Sequence, residues 1–188
     1  MRTLGLAEST PRTEGRLKSL FWPTIQSGAD VDYLGAQGFW VCTIFALLAA
    51  VSSMFGHPVA GFLSFILYYV SGVGVRERSR FAATIAFLFS VGELVALPSV
   101  LKFFFVVLLF SNLRATWKAS GWQPTSEQAE IPARLGETWS DKFADRLPSW
   151  LWPKVRIPYY IFSVGFTLAF GLGLAAMIAR HQWPFIPR

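Results

Sequence analysis

The chain has 188 residues, of which 53% are hydrophobic and only 15% charged, where a soluble domain carries about a quarter charged. With 18 Phe, 8 Trp and a mean hydropathy of +0.43, this composition excludes an ordinary soluble domain. The net charge of +6 flanks apolar segments, so it is read as membrane topology and contact with anionic headgroups rather than as a nucleic-acid surface.

Residues 1–35 are polar, carry Pro11 and Pro23, and lack the short apolar core of a cleavable signal. They are expected to form a cytoplasmic N-terminal segment, with the chain entering the membrane through its first span. Residues 36–117 then read as a four-span bundle. Crossing about 30 Å of hydrocarbon takes about 20 helical residues. The first span is expected from Phe39 to Phe55, with uncharged residues from Leu34 onward to extend it, and it is broken by Gly56-His57-Pro58. The second runs from Val59 to Val75 and stops against Arg76-Glu77-Arg78-Ser79-Arg80. The glycines of Ser71–Val75 are expected to mark a helix stop or a hinge.

Phe81 to Leu113 is nearly uncharged but holds Pro98. One helix of that length would be about 50 Å long, so two short spans are expected, Phe81–Leu97 and Val100–Trp117. Residues 118–154 form a cytoplasmic loop. In it Leu135, Trp139, Phe143 and Leu147 recur every four residues, the pattern of an amphipathic helix lying on the inner leaflet or packing on the protein's own cytoplasmic side, closed by Pro148. A fifth span lies within residues 155–179, at Ile157–Ala179, and residues 180–188 are a short external tail. The fold class is therefore all-α, a polytopic transmembrane bundle of about five spans whose cytoplasmic loop carries an interfacial amphipathic helix.

Charge fixes the orientation. With the N-terminus cytoplasmic, residues 1–38, 76–80 and 114–156 hold 4, 3 and 7 of the 17 Lys and Arg. Merging the third and fourth spans would strand the seven outside, against the positive-inside bias. An inner or plasma membrane protein with a cytoplasmic N-terminus and an external C-terminus follows.

Two phrases nearly repeat: Arg16–Ile25 (RLKSLFWPTI) and Arg146–Val155 (RLPSWLWPKV). Trp favours the headgroup region and Arg and Lys snorkel to phosphate there, so Arg16, Trp22, Trp139, Phe143, Arg146, Trp150 and Trp152 are read as interface anchors that meet one physical demand twice. The similarity does not extend beyond the phrases, so a duplication is not inferred.

Chemistry-bearing residues are scarce. Glu93 and Lys102 face each other across the Pro98 turn, and an ionisable group at membrane depth is expensive unless partnered. A salt bridge that fixes the hairpin is favoured over a proton or ion step beside Ser90 and Ser99. One Cys and two His cannot build a metal site or an internal disulfide. No catalytic arrangement or cofactor motif is evident, and Asp30 with Asp32 supplies only half of a calcium loop. Small residues at four-residue intervals (Ala82, Ala86, Ser90; Ala169, Gly173; Gly171, Ala175, Ala179) are expected to pack the bundle internally. The expected function is non-enzymatic: an accessory, assembly or scaffold subunit contacting membrane lipids, anionic headgroups on the cytoplasmic side, or a partner membrane protein. The alternative is a small transporter or proton-coupled channel using Glu93 and Lys102. Replacing Glu93 by Gln would leave the first intact and abolish coupled flux in the second.

Overall fold

The computed structural model describes residues 18, 21–25, 28–53, 58–120 and 139–180. They form five helices: α1 (Gly28–Ser53), α2 (Pro58–Arg76), α3 (Arg80–Ala96), α4 (Val100–Ser120) and α5 (Trp139–Ala179). Four contain stretches long and apolar enough to cross a membrane, at Asp30–Val51, Pro58–Arg76, Val100–Ala119 and Phe143–Ala179. The 17 residues of α3 reach about 26 Å. Helix contacts close a ring in the order α1, α2, α5, α3, α4, and α2 also touches α3.

Helix ends follow local chemistry. α2 closes with Arg78 in the left-handed region at φ 57°. The Ser79 N–H returns to the Gly74 carbonyl at 2.9 Å and the Arg78 N–H to that of Val75 at 3.0 Å, the paired bonds of a Schellman ending. Ser79 then caps α3 by accepting the Ala82 N–H at 3.3 Å. At the far end the Leu97 N–H closes on the Glu93 carbonyl, and Pro98 prevents continuation into α4.

α1 begins earlier than its apolar run. The polar stretch expected as a detour before the first span supplies its first turns from Gly28. Val31, Leu34, Phe39, Cys42 and Phe45 are buried along it, so the core-facing stripe starts inside the polar region, and Asp30 in the first turn suits the helix dipole.

Close backbone approach joins α1 to α2. A Cβ at Gly72 would lie 2.8 Å from the Cys42 Cβ and 3.2 Å from the Phe39 carbonyl oxygen, and one at Gly38 would collide with the Asn112 side chain. α2 stays helical through the Ser71–Val75 glycines and stops just beyond them, at Arg76. On α3, Ala82, Ala86 and Ser90 are buried.

α5 departs most from expectation. It is continuous for 41 residues and contains Pro148, Pro153 and Pro158, so the helix expected to close at Pro148 is one body with the fifth apolar stretch. The reason lies in its stripe. Phe143 and Leu147 are followed at the same interval by Leu151 and Val155, all packed on the core cluster. Continued burial across Pro148 offsets the hydrogen bond that each proline removes. The apolar side of residues 143–155 is therefore covered by the protein itself, with Phe143 against Phe39 and Trp40 at 6.0 and 6.2 Å. Farther on, Tyr160 meets Phe81, and Phe166 and Phe170 meet Phe89, so α5 ascends alongside α3. The small residues expected to pack it inward do not. Around Gly165, Gly171 and Gly173 no atom lies within 4 Å of a built Cβ.

Candidate functional site

Basic side chains gather where α2 ends, α3 begins and α4 ends. At the centre of that end is Arg76, 4% exposed. α1 brings Asp32 to it: Nη1 lies 3.0 Å from Oδ1 and donates to the Asp32 backbone carbonyl at 2.7 Å, while Nη2 donates to Oδ2 at 3.1 Å. α5 brings Asp145, which accepts from Nε at 3.2 Å and also pairs with Nη2. Arg78 adds a second cation 3.7 Å from Asp32, so two carboxylates face two guanidinium groups. A guanidinium stays charged when buried, so its burial is costly unless its donors are satisfied to this degree. The cluster ties three helices together and presents no nucleophile. α5 lies antiparallel against the end of α2: Asp145 on Arg76, Trp152 over Gly74, and the Tyr159 hydroxyl 2.6 Å from Ser71 Oγ.

Around this core lies a girdle of cation–π pairs, the arrangement that suits a water–hydrocarbon boundary. Arg80 sits 5.6 Å from the Trp117 ring centroid, Arg114 4.2 Å from Trp22, and Lys154 3.7 Å from Trp150. Trp22, Trp117 and Trp150 are all exposed. Arg146 is exposed as well.

Beside the girdle, Trp22–Ile25 runs along α4 without helical structure. Phe21 stacks near Phe104 and Trp22 near Phe110, with centroids 5.8 and 5.5 Å apart. Arg114 Nη2 donates to the Pro23 carbonyl and Lys118 Nζ to the Ile25 carbonyl at 2.7 Å. Between segment and helix is a cavity of about 380 Å³ lined by Lys18, Trp22, Pro23, Thr24, Ile25, Arg114 and Lys118.

At the opposite end the structure brings Glu93 and Lys102 together, with Lys102 Nζ 3.9 Å from Oε2 and 3.5 Å from the Glu93 backbone carbonyl. Ser90 Oγ donates to the Ala86 carbonyl at 2.7 Å and lies 3.3 Å from the Tyr68 hydroxyl. The pair clasps the α3–α4 hairpin next to its turn.

The two repeated phrases fold differently. Trp22-Pro23 is non-helical, with Trp22 exposed and Pro23 buried, whereas Trp152-Pro153 lies inside α5. Trp152 is buried at 8% exposure against Tyr159 and Tyr160, so it is a core residue and not a surface anchor. Phe143 is likewise half-buried in the core cluster. Arg16, His57, His181 and the side chain of Trp139 lie outside the described residues.

Sequence reasoning missed the Arg76 cluster. Arg76 reads as a stop signal, and Asp32 as part of a failed calcium loop. The available signal was that Asp32 and Asp145 each sit beside residues of an apolar stripe. Among the described residues no group of three or more His, Cys, Asp or Glu could hold a metal ion. No family model, curated protein or solved structure matches the chain.

Proposed function

We propose that this is a multi-pass membrane protein of inner or plasma membranes, with five crossings, a cytoplasmic N-terminus and an external C-terminus, that serves as a non-enzymatic accessory, assembly or scaffold subunit. The clustering of Lys18, Arg76, Arg78, Arg80, Arg114, Lys118, Arg146 and Lys154 around one end of the bundle supports a cytoplasmic position for that end. The 17-residue α3 serves as the third crossing, its length suited to a thinner region beside the Pro98 turn.

The observation that carries the scaffold reading is the open side of α5. In its most apolar 18-residue stretch only 6% of the residues are buried, against 44% in that of α1. Ile161, Leu168 and Leu172 are 62–75% exposed, and Gly165, Gly171 and Gly173 leave the backbone bare to anything beside it. Between transmembrane helices association relies on close packing, which small residues permit. α5 thus offers a partner membrane helix a surface that the bundle itself leaves unused, while its aromatic side holds it to α3.

The test is co-purification in mild detergent, comparing wild type with Gly171→Leu/Gly173→Leu. Recovery of a stoichiometric membrane partner should fall about tenfold in the variant, with the bundle intact, since about 1.4 kcal/mol of lost packing is tenfold in affinity. Equal recovery from both proteins, or no stoichiometric partner from either, refutes the scaffold reading.

A further inference from the structure

The cavity at the Lys18–Ile25 segment combines features that neither a folding role nor general topology requires together. Among the described residues that line it, the charged side chains are all basic: Lys18, Arg114 and Lys118. The cations come from two parts of the chain far apart in sequence, and they converge because Arg114 and Lys118, one turn apart on α4, each hold a carbonyl of the Trp22–Ile25 strand. Arg114 is further fixed by the Trp22 ring beneath it. A cationic group held in place before binding loses less freedom when an anion arrives. The volume falls in the range of small-ligand sites, about 300–1,000 Å³.

What surrounds the cavity defines the ligand. Away from its basic end, α4 presents an exposed apolar ridge in the direction of its first turns: Phe110 is 41% exposed, Phe104 46%, Phe103 55% and Leu101 53%. Phe21 and Trp22 lie against Phe104 and Phe110, so the ridge starts at the cavity mouth. A ligand that matches both parts has a compact anionic head and a long apolar tail on the same side. A soluble phosphate satisfies only the head.

We propose that this cavity binds the headgroup of an anionic phospholipid, with phosphate among Lys18, Arg114 and Lys118 and one acyl chain along Trp22, Phe110 and Phe104. Arg114 and Lys118, already fixed on backbone carbonyls, contribute directional N–H donors, and Lys18 contributes a further ammonium group. The site deepens the lipid-contact part of the proposed function, and it has the further effect of cementing the N-terminal segment onto α4. Its readout needs no protein partner, so it stands or falls separately from the scaffold role of α5.

The experiment is native mass spectrometry of the full chain in a neutral detergent, titrated with phosphatidylglycerol or with phosphatidylcholine of the same acyl chains. Wild type should retain phosphatidylglycerol about tenfold more than phosphatidylcholine, as expected for charge-assisted contacts worth about 1.4 kcal/mol. Lys18→Gln/Lys118→Gln should reduce that ratio to about twofold or less. Arg146→Gln/Lys154→Gln, the same loss of charge away from the cavity, should keep it. Thr24→Trp, which fills the cavity without removing charge, should also lower the ratio and serves if the double lysine variant does not fold. An unchanged ratio in the lysine variant or, should that variant not fold, in Thr24→Trp overturns the proposal. So does an equal loss in the Arg146/Lys154 control, or a saturable adduct with inorganic phosphate in the absence of one with phosphatidylglycerol.

Discussion

Gly74 is a tight three-helix junction in the bundle, and adding one methyl group there tests how the bundle is built. A Cβ at this position would lie 2.5 Å from the Ala82 Cβ on α3, and 2.5 and 2.6 Å from Cη2 and Cζ3 of Trp152 on α5. Carbon atoms in contact prefer about 3.5–4.0 Å, so Gly74→Ala must open the junction by about 1 Å on two sides at once. The indole has little room to retreat, because it is buried and bounded by the rings of Tyr159 and Tyr160 at 5.8 and 6.0 Å. Overpacking of this kind costs about 1–3 kcal/mol. At about 2 kcal/mol the open fraction rises about 30-fold, and the melting temperature falls by about 4–8 °C for a chain of this size. The chain carries its own reporter, since Cys42 is its only cysteine and is fully buried. A thiol-reactive fluorophore added in detergent during a thermal ramp reads its exposure. Trp152→Leu should lower the transition by itself, yet Gly74→Ala/Trp152→Leu should be distinctly less destabilised than the sum of the two. A Gly74→Ala protein that melts with wild type, or a double variant additive within about 0.5 kcal/mol, refutes the reasoning.

Arg76→Met should be far more damaging, because it leaves the largely buried Asp145 without its cation and Asp32 with only Arg78 at 3.7 Å. Removing one partner from a buried pair costs about 3–5 kcal/mol, so Cys42 should label without heating, and a fully protected Cys42 would refute the role given to Arg76. Asp145→Asn should cost less than Arg76→Met, since Asp32 still faces the guanidinium, and the same labelling ranks the two. The Glu93–Lys102 clasp is long at 3.9 Å and only 21–25% exposed, and replacing both partners of such a largely buried pair by apolar residues is often close to neutral. Glu93→Leu/Lys102→Leu should therefore melt within about 4 °C of wild type, and loss of the folded protein would mean that the pair is structurally essential. In reconstituted vesicles, Glu93→Gln should leave the proton permeability of the wild-type protein unchanged; loss of a coupled flux would favour the transporter alternative.

Much of the helix layout was legible because the apolar runs are bounded by strong stops. α2 and α3 fall within one residue of expectation, at Pro58–Arg76 and Arg80–Ala96, because Pro58, the Arg76–Arg80 cluster and Pro98 act through backbone chemistry and the cost of burying charge. α1 was harder to read. Its first turns look polar, and Asp32 belongs there only because Arg76 arrives from another helix. α5 defeated the local rule that proline ends a helix, since residues 143–155 are held by long-range packing that no window of sequence contains. The Glu93–Lys102 contact was readable from spacing across a turn. The Arg76 cluster and the Lys18–Arg114–Lys118 cavity were not, because each joins segments separated by tens of residues. The small residues of α5 carried the opposite lesson: the pattern was visible, but which side of the helix needed it was decided by neighbours.

The spacing of the prolines in α5 has a geometric effect of its own. Five residues advance an α-helix by about 500°, so each proline lies about 140° around the axis from the one before. A bend at each of Pro148, Pro153 and Pro158 would accordingly point in its own compass direction, and the heading of the last segment would be their vector sum. From Pro158 to Ala179 is about 31 Å, over which one uncompensated bend of about 20° displaces the tip by about 11 Å. At Gly171 and Gly173 the described residues offer no wall to correct such a swing. The aim of that outer segment is therefore set by the rotational phase of three imino acids lying 13 to 23 residues upstream of Gly171.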